Sequence, residues 1–202
     1  LIATTLIFGI IGLYDDIKKV FKFKGLALRV RHKILIQLIA GFLIAHLGIS
    51  NGLFYVNIPF VGGTISNQPL LYVLSAFTIV FISNAFNILD GIDGLSSGSL
   101  LISLIGILVL VSNTTNSLST LIFIFILFGA TMAYLYFNIN PARLFMGDTG
   151  AIAFGALLGV FVMMTGTLLL LPVLGIVYIL DALSSLPRWL SIVMRDGKFI
   201  FK

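Results

Sequence analysis

The chain has 202 residues, of which 59% are hydrophobic and 9% charged, and its mean hydropathy is +1.18. In a soluble domain about a quarter of the residues are charged. The composition therefore excludes a soluble protein and predicts an integral membrane protein. Cysteine is absent, which excludes disulfides, cysteine-ligated zinc and thiol catalysis.

Apolar segments along the chain are read as membrane helices, since crossing the hydrocarbon takes about 20 apolar residues. We predict an all-α fold, a polytopic transmembrane bundle with about seven spans. The predicted spans are residues 1–14, 34–49, 70–89, 97–112, 118–137, 151–165 and 168–187.

The connections between these spans alternate in charge. Every Lys and Arg lies in residues 15–33, 90–96 and 138–150 or in the tail from Arg188, whereas the intervening connections carry no charged residue. Positively charged loops stay in the cytoplasm, so the first set is predicted to be cytoplasmic. The net charge of +5 belongs to this face and does not indicate a nucleic-acid partner. The outer segment 50–69 is predicted to form a small hairpin or an irregular loop.

Asp15 and Asp16 end the first apolar run and are followed by a dense basic stretch that reaches Lys33. The lysines and arginines are explained as a membrane anchor that attracts anionic lipid head groups. The acidic pair is not explained in that way. Adjacent carboxylates raise one another's pKa, so one is a candidate base, and either could help to hold a divalent cation.

A second polar group ends the third apolar run, where Asn84, Asn87, Asp90 and Asp93 follow one another at intervals of three. Residues three apart share a helix face, and the glycines beside the two acids allow backbone N–H groups to approach a ligand. The alternative is structural, with the amides bonding between helices. That explains single residues but not the whole cluster.

Residues 138–150 form a third polar segment, with Asn138 at its start and Phe145 and Asp148 near its end. Taken alone, Asp148 is explained as a helix N-cap and Phe145 as an interfacial aromatic residue. Because all three acidic segments are predicted at the cytoplasmic ends of helices, we expect them to form one polar site for a metal and a phosphate.

The three motifs together resemble the polyprenyl-phosphate hexose-1-phosphate transferases of glycosyltransferase family 4. The motifs are Gly-x-x-Asp-Asp at 12–16, Asn-x-x-Asn-x-x-Asp-Gly-x-Asp-Gly-Leu at 84–95 and Phe-Met-Gly-Asp-x-Gly at 145–150. Within that superfamily the chain is most similar to the branch that transfers phospho-MurNAc-pentapeptide. This similarity is indicated by Arg31-His32-Lys33 and by residues 197–202.

The resemblance implies a membrane enzyme of ten spans, of which residues 1–202 would be a single transferase domain truncated at both ends, and inactive alone. The implied reaction joins UDP-MurNAc-pentapeptide to undecaprenyl phosphate, gives lipid I and UMP, and requires Mg²⁺. The implied location is the bacterial inner membrane, with the site on the cytoplasmic face among membrane lipids, and a homodimer is one option.

The resemblance also implies roles for individual residues. Asp148 would bind the metal, and Asp15 would deprotonate or orient the lipid phosphate with Asp16 beside it. Asn87 and Asp90 would position the diphosphate and the nucleophile. Lys19 and Arg31 would bind phosphates, whereas Asp93, Asn138 and Phe145 would hold the uridine. The residues expected to bind substrate are Lys19, Arg31, Asn84, Asn87, Asp93, Asn138 and Phe145.

The chain departs from the family pattern where Ala151 replaces a usual Ser, where Asp181 replaces a usual Glu, and in the segment Ser184-Ser185-Leu-Pro187. One alternative is the branch that transfers GlcNAc-1-phosphate for teichoic acid or O-antigen, which shares the acidic motifs. A more remote alternative is an ion-coupled transporter. Transporter acids are expected near the bilayer midplane in repeated segments, and the sequence contains no such repeat.

Overall fold

The computed structural model describes residues 1–21, 30–58, 62–111, 118–180 and 183–184. Within these ranges all regular secondary structure is helical, apart from one isolated antiparallel bridge between Asn57 and Thr64, so the predicted all-α class is confirmed. The six long helices are α1 (Ile2–Phe21), α2 (Val30–Ser50), α3 (Gln68–Leu89), α4 (Leu95–Val111), α5 (Leu118–Asn138) and α6 (Gly147–Met164).

Four of these helices are long and apolar enough to cross a membrane: α2 from Arg31, α3, α5 and α6. Helix α4 is apolar but shorter. The seventh predicted span, 168–187, is divided in its described part into a 3-10 turn (Leu168–Leu170), the short helix α7 (Leu171–Leu174) and a helical stretch at 176–180. Asp181 lies outside the described residues.

The sequence predicted that the first helix ends with its apolar run at residue 14. Helix α1 instead continues to Phe21. The apolar run marks where the hydrocarbon ends, whereas the helix continues because Lys is a good helix former and both Lys18 and Lys19 lie in its last turn. Asp15 and Asp16 are therefore fixed on a helix and do not lie on a loop.

Helix α6 is the central element of the bundle. Within its apolar, membrane-crossing stretch 67% of the residues are buried, against 22% in the corresponding stretch of α5. It packs against α1 and α3, and glycines allow the backbones to approach closely. A Cβ on Gly155 would lie 2.7 Å from the Cα of Ser83, and one on Gly159 would lie 2.8 Å from the Cα of Ile79. The position of α6 relative to α3 is thus set by backbone contact.

The outer connection between α2 and α3 is an irregular loop that folds back on itself, in agreement with the sequence prediction. The amide of Ile65 donates to the carbonyl of Val56 at 3.0 Å, next to the Asn57 bridge. The loop also contacts the outer end of α6, where the amide of Tyr55 donates to the carbonyl of Met163 at 3.2 Å. Its polar groups lie at the opposite end of the bundle from the acidic motifs.

Candidate active site

The three acidic motifs meet at one end of the bundle, as the sequence predicted. Successive helices run in opposite directions, so the last turns of α1 and α3 lie beside the first turns of α2 and α6. The meeting point is the Asp148 carboxylate in the first turn of α6. Its side chain is only 15% exposed, so its charge needs partners from the neighbouring helices.

Two lysines supply the positive charge around Asp148. The Nζ of Lys33 lies 2.6 Å from Oδ2 of Asp148 and 2.9 Å from Oδ2 of Asp15, so one ammonium joins two carboxylates from different helices. The Nζ of Lys19 lies 2.8 Å from Oδ1 of Asp148. The Lys33 side chain is 14% exposed and that of Lys19 is 58% exposed, so Lys33 is the inner cation of the pair.

The sequence interpretation did not single out Lys33 as a site residue. It is one of several cations between residues 18 and 33, and nothing in their spacing distinguishes it from the others. A usable signal was its position at the start of an apolar helix, since a cation there either lies at the interface or pairs with an acid. In the structure Lys33 pairs with two acids, Asp15 and Asp148.

Asp16 makes a different set of contacts from Asp15. Its Oδ1 accepts a hydrogen bond from the amide of Asp148 at 3.2 Å. Its Oδ2 accepts from the amide of Thr149 at 2.8 Å and from the Thr149 hydroxyl at 2.6 Å. Asp16 therefore caps the N-terminus of α6 from another helix. The interpretation of Asp148 as its own N-cap is wrong, because the residue at that position is Met146, whose side chain makes no cap hydrogen bond.

The two amides of the second motif have separate partners. Asn87 joins the acidic cluster, where its Nδ2 donates to Oδ1 of Asp148 at 3.2 Å. Asn84 lies one turn further into the bundle, and its Nδ2 donates to Oε1 of Gln37 at 2.7 Å and to the carbonyl of Val80 at 2.8 Å. Its substrate-binding role stays a prediction, and its amide is engaged between α2 and α3.

Asp90 is the half-buried acid that ends α3. Burial raises the pKa of its carboxyl, the hydrogen bond from Ser96 acts in the opposite direction, and the negative charge of Asp148 raises the pKa further. The Ser96 hydroxyl donates to Oδ1 of Asp90 at 2.5 Å. Asp90 is therefore electrostatically linked to the Asp148 cluster, and the raised pKa of its carboxyl makes it a candidate to accept a proton.

Asp93 and Asn138 organise the loop that leads into α6. Oδ2 of Asp93 accepts hydrogen bonds from the amide of Ala142 at 3.0 Å and from Nδ2 of Asn140 at 3.1 Å. Oδ1 of Asn138 accepts from the amide of Gly94 at 2.9 Å. Both side chains thus tie the α3–α4 connection to the α5–α6 loop.

Asn138 is 1% exposed, and its Nδ2 also donates to the carbonyl of Leu144 at 3.1 Å. This bond holds the residue directly before Phe145, whose side chain is 60% exposed. Phe145 therefore stands out from an ordered loop and is available to stack on a planar ligand. Arg31 is exposed in the first turn of α2, two residues before Lys33.

The family of the chain follows from comparison with known proteins. A family model described as glycosyl transferase family 4 matches residues 1–166. The chain belongs to glycosyl transferase family 4. The family membership predicted from the three motifs is thereby confirmed, and the matched region contains every predicted site residue.

Relatives of this family 4 chain include three proteins named phospho-N-acetylmuramoyl-pentapeptide-transferase. The one from Clostridium perfringens (strain SM101 / Type A) is 37% identical, with 96% of this chain and 60% of the relative covered. The one from Clostridioides difficile (strain 630) is 36% identical, with 89% and 56% covered. The one from Caldanaerobacter subterraneus subsp. tengcongensis is 33% identical, with 100% and 63% covered. The chain thus spans about 60% of the length of these relatives.

The site fits a divalent cation only in combination with other ligands. Within the described ranges, no group of three or more His, Cys, Asp or Glu residues could enclose a metal ion. However, Asp15 and Asp148 converge on a single ammonium, so their oxygens can also converge on a cation. Mg²⁺ prefers one or two carboxylates together with substrate phosphates and waters. The donor set present is therefore suited to Mg²⁺ held jointly with a phosphorylated substrate.

Proposed function

We propose that the whole protein transfers phospho-MurNAc-pentapeptide from UDP-MurNAc-pentapeptide to undecaprenyl phosphate, which produces lipid I and UMP. The observation that carries this proposal is the pair of carboxylates, Asp15 and Asp148, bridged by Lys33 at the charged end of a membrane bundle. The names of the relatives support the choice of the muramoyl donor among the reactions that such a site could perform.

The cluster has the composition that phosphoryl transfer requires. Catalysis of this reaction depends on positioning and on neutralising the charge of the phosphate oxygens more than on covalent chemistry. Asp15 and Asp148 would hold Mg²⁺, which would neutralise the diphosphate of the donor. Lys19, whose side chain is more than half exposed, would bind a phosphate oxygen from the solvent side, and Arg31 would add a second exposed cation.

The remaining residues divide between proton transfer and recognition. Asp90 would accept the proton of the lipid phosphate, because its pKa is raised by burial and by the charge of Asp148. Phe145 would stack on the uracil ring from the loop that Asn138 and Asp93 hold in place. Asp16 would act through α6, by fixing the first turn that carries Asp148.

The placement of the site suits one lipid substrate and one soluble substrate. Lys33 and Asp148 each lie in the first turns of apolar helices, close to where the hydrocarbon begins. An isoprenoid tail can therefore stay in the bilayer while its phosphate reaches the carboxylates. The positively charged connections support a cytoplasmic location for this end of the bundle, where nucleotide sugars are present, and we propose the bacterial inner membrane as the location of the protein.

The test is Mg²⁺-dependent release of UMP by the product of the complete gene, purified in detergent with undecaprenyl phosphate. Release with UDP-MurNAc-pentapeptide but not with UDP-GlcNAc is the expected result. Release with UDP-GlcNAc alone would assign the protein to the GlcNAc-1-phosphate branch. If a folded protein releases no UMP with either donor, both the muramoyl assignment and the GlcNAc-1-phosphate assignment are refuted. Asp148→Asn is the matched inactive control, since it keeps the side-chain shape and removes the charge.

A further inference from the structure

Gln37 is a fully buried polar residue in the middle of the apolar sequence of α2. Its Oε1 accepts the hydrogen bond from Nδ2 of Asn84 at 2.7 Å. The same Nδ2 donates to the carbonyl of Val80, which fixes the orientation of the Asn84 amide and hence that of the Gln37 amide. Nε2 of Gln37 then has no hydrogen-bond partner in the part of the chain that the structure describes.

Stability alone does not explain a glutamine at this position. An N–H group without a partner in an apolar interior carries its full desolvation cost, whereas an apolar side chain of similar length would carry none. The single bond from Asn84 has to offset the burial of the whole Gln37 amide. Buried polar groups of this kind are expected where they define a specific geometry, and in membrane helices they are functional candidates.

The position of the pair shows which geometry it defines. Gln37 lies four residues after Lys33 on α2, and Asn84 lies three residues before Asn87 on α3. These spacings place each member of the pair one helical turn below a residue that contacts Asp148. Lys33 contacts Oδ2 of Asp148 and Asn87 contacts Oδ1. The contacts of Asp148 with Lys33 and with Asn87, together with the hydrogen bond between Asn84 and Gln37, therefore connect α2, α6 and α3 to one another.

We propose that Gln37 is a positioning residue of the transferase site. It does not contact the reacting atoms. Through Asn84 it sets the distance between α2 and α3 at the depth just below Asp148, and so determines how Lys33 and Asn87 hold the two oxygens of that carboxylate. The expected loss of kcat rests on the proposed function. The expected loss of metal affinity rests on the geometry alone.

The test compares Gln37→Met with wild type in the product of the complete gene. Gln37→Met should unfold close to the wild-type temperature, because it removes the unpaired Nε2 donor of Gln37 but leaves one N–H of Asn84 without its acceptor. Its kcat should fall about tenfold with the KM for the UDP donor unchanged, since loss of an outer partner of a metal ligand costs on the order of 10–100-fold. Gln37→Leu is the second variant in case Gln37→Met does not fold.

Tyr72→Phe is the matched control. It removes the contact of 3.1 Å between the Tyr72 hydroxyl and Nδ1 of His46, which joins the same two helices at their outer ends. It should leave kcat unchanged. An equal loss of kcat in Tyr72→Phe and Gln37→Met would mean that any weakening of the α2–α3 contact slows turnover, and would overturn a specific role for Gln37.

A double-variant cycle with Asn87→Ala tests the route of the effect. If Gln37 acts through the contacts of Lys33 and Asn87 with Asp148, the double variant should lose less kcat than the product of the two single losses, whereas independent effects would multiply. Binding of Mn²⁺, measured by electron paramagnetic resonance, gives a readout without turnover, and Gln37→Met should weaken it about tenfold. Wild-type Mn²⁺ affinity and kcat in Gln37→Met would overturn the proposal. Failure of UMP release in wild type would refute the proposed function but leave the Mn²⁺ comparison valid.

Discussion

The Nζ of Lys33 lies 2.6 Å from Oδ2 of Asp148, although 115 positions separate the two residues in the chain. The same ammonium contacts Asp15 at 2.9 Å, so it compensates two carboxylates at once. All three side chains are less than a fifth exposed, where solvent screens charges poorly. Lys33 is therefore the residue on which the electrostatic balance of the site depends.

Replacement of Lys33 by Met should reduce UMP release at least a hundredfold, on the order of the loss seen when one electrostatic stabiliser is removed from an active site. The variant leaves Asp15 and Asp148 facing each other without their shared cation, so it should also unfold at a lower temperature. Lys18→Met is the control, because Lys18 lies over the Tyr14 ring, 3.8 Å from its centroid. Normal turnover in Lys33→Met would contradict this role.

Asp16→Ala should destabilise the protein by about 1–2 kcal/mol, the upper range for loss of a helix N-cap. The change removes three hydrogen bonds to the first turn of α6. Thermal unfolding in detergent measures the effect. Thr149→Val, which removes only the hydrogen bond from the Thr149 hydroxyl, should lower the unfolding temperature less than Asp16→Ala. The loss of stability in Asp16→Asn should lie between those of the other two variants. If Asp16→Ala unfolds at the wild-type temperature, Asp16 does not cap α6.

Gly12→Ala should displace α6 from α1. A Cβ at this position would clash with the Asp148 carbonyl and lie 2.6 Å from the Cα of Thr149. Overpacking of this kind costs about 1–3 kcal/mol, and here it also moves the backbone that carries Asp148. We expect both a lower unfolding temperature and reduced UMP release.

The control for Gly12→Ala is Gly129→Ala on α5, where the added Cβ meets nothing within 4 Å. Replacement of a helical glycine at such a site should stabilise the protein by about 0.4–1 kcal/mol. Equal behaviour of the two variants would show that the α1–α6 contact is not tight.

Asp90→Asn should raise the unfolding temperature at neutral pH while it abolishes turnover. The pKa of the Asp90 carboxyl is raised by burial, so the folded protein binds this proton more strongly than the unfolded chain does. Its contribution to stability is therefore greatest at low pH. It declines as the pH rises from the ordinary value of 3.8 through the raised folded value.

The stabilising effect of Asp90→Asn should accordingly be larger at pH 7.5 than at about pH 4. Unfolding curves at several pH values measure this difference. Ser96→Ala removes the hydrogen bond that lowers the Asp90 pKa, so it should move the pH dependence to higher pH. An Asp90→Asn effect that is the same at all pH values would contradict the raised pKa.

Phe145→Ala should raise the KM for the UDP donor with little change in kcat or in unfolding temperature. The side chain is 60% exposed, so its removal sacrifices little burial, whereas loss of stacking on a base costs about 1–3 kcal/mol, or roughly 5- to 150-fold in affinity. Phe145→Trp should retain the wild-type KM. An unchanged KM in Phe145→Ala would assign the uracil contact to another residue.

The sequence predicted the meeting of the three motifs because charged residues are confined to helix ends in a membrane protein and the connections alternate in charge. It did not predict the partner of each acid. Asp15 and Asp16 are adjacent, yet one turns to Lys33 and the other to the backbone of α6. Which way each side chain points depends on helix rotation, which the hydropathy pattern does not specify.

The ends of helices were predicted less well than their existence. The sequence placed the end of α1 at residue 14 and the start of α6 at residue 151, because the apolar runs stop there, whereas the helices extend to Phe21 and from Gly147. Both errors have the same cause, since hydropathy reports the hydrocarbon boundary and not the end of backbone hydrogen bonding. Gln37 gave a signal that was not used, as an isolated polar residue within an apolar helix.

The contact between Asp16 and α6 has a consequence for how a substrate can be recognised. A helix N-terminus with free N–H groups attracts phosphate, and many nucleotide-binding proteins use it for that purpose. In this protein an internal carboxylate already occupies two of those N–H groups, at Asp148 and Thr149, and presents a negative charge to any incoming anion. Under the proposed function, the diphosphate of the donor would have to be attracted by lysine side chains and a divalent cation, so affinity for the nucleotide should disappear when the cation is chelated.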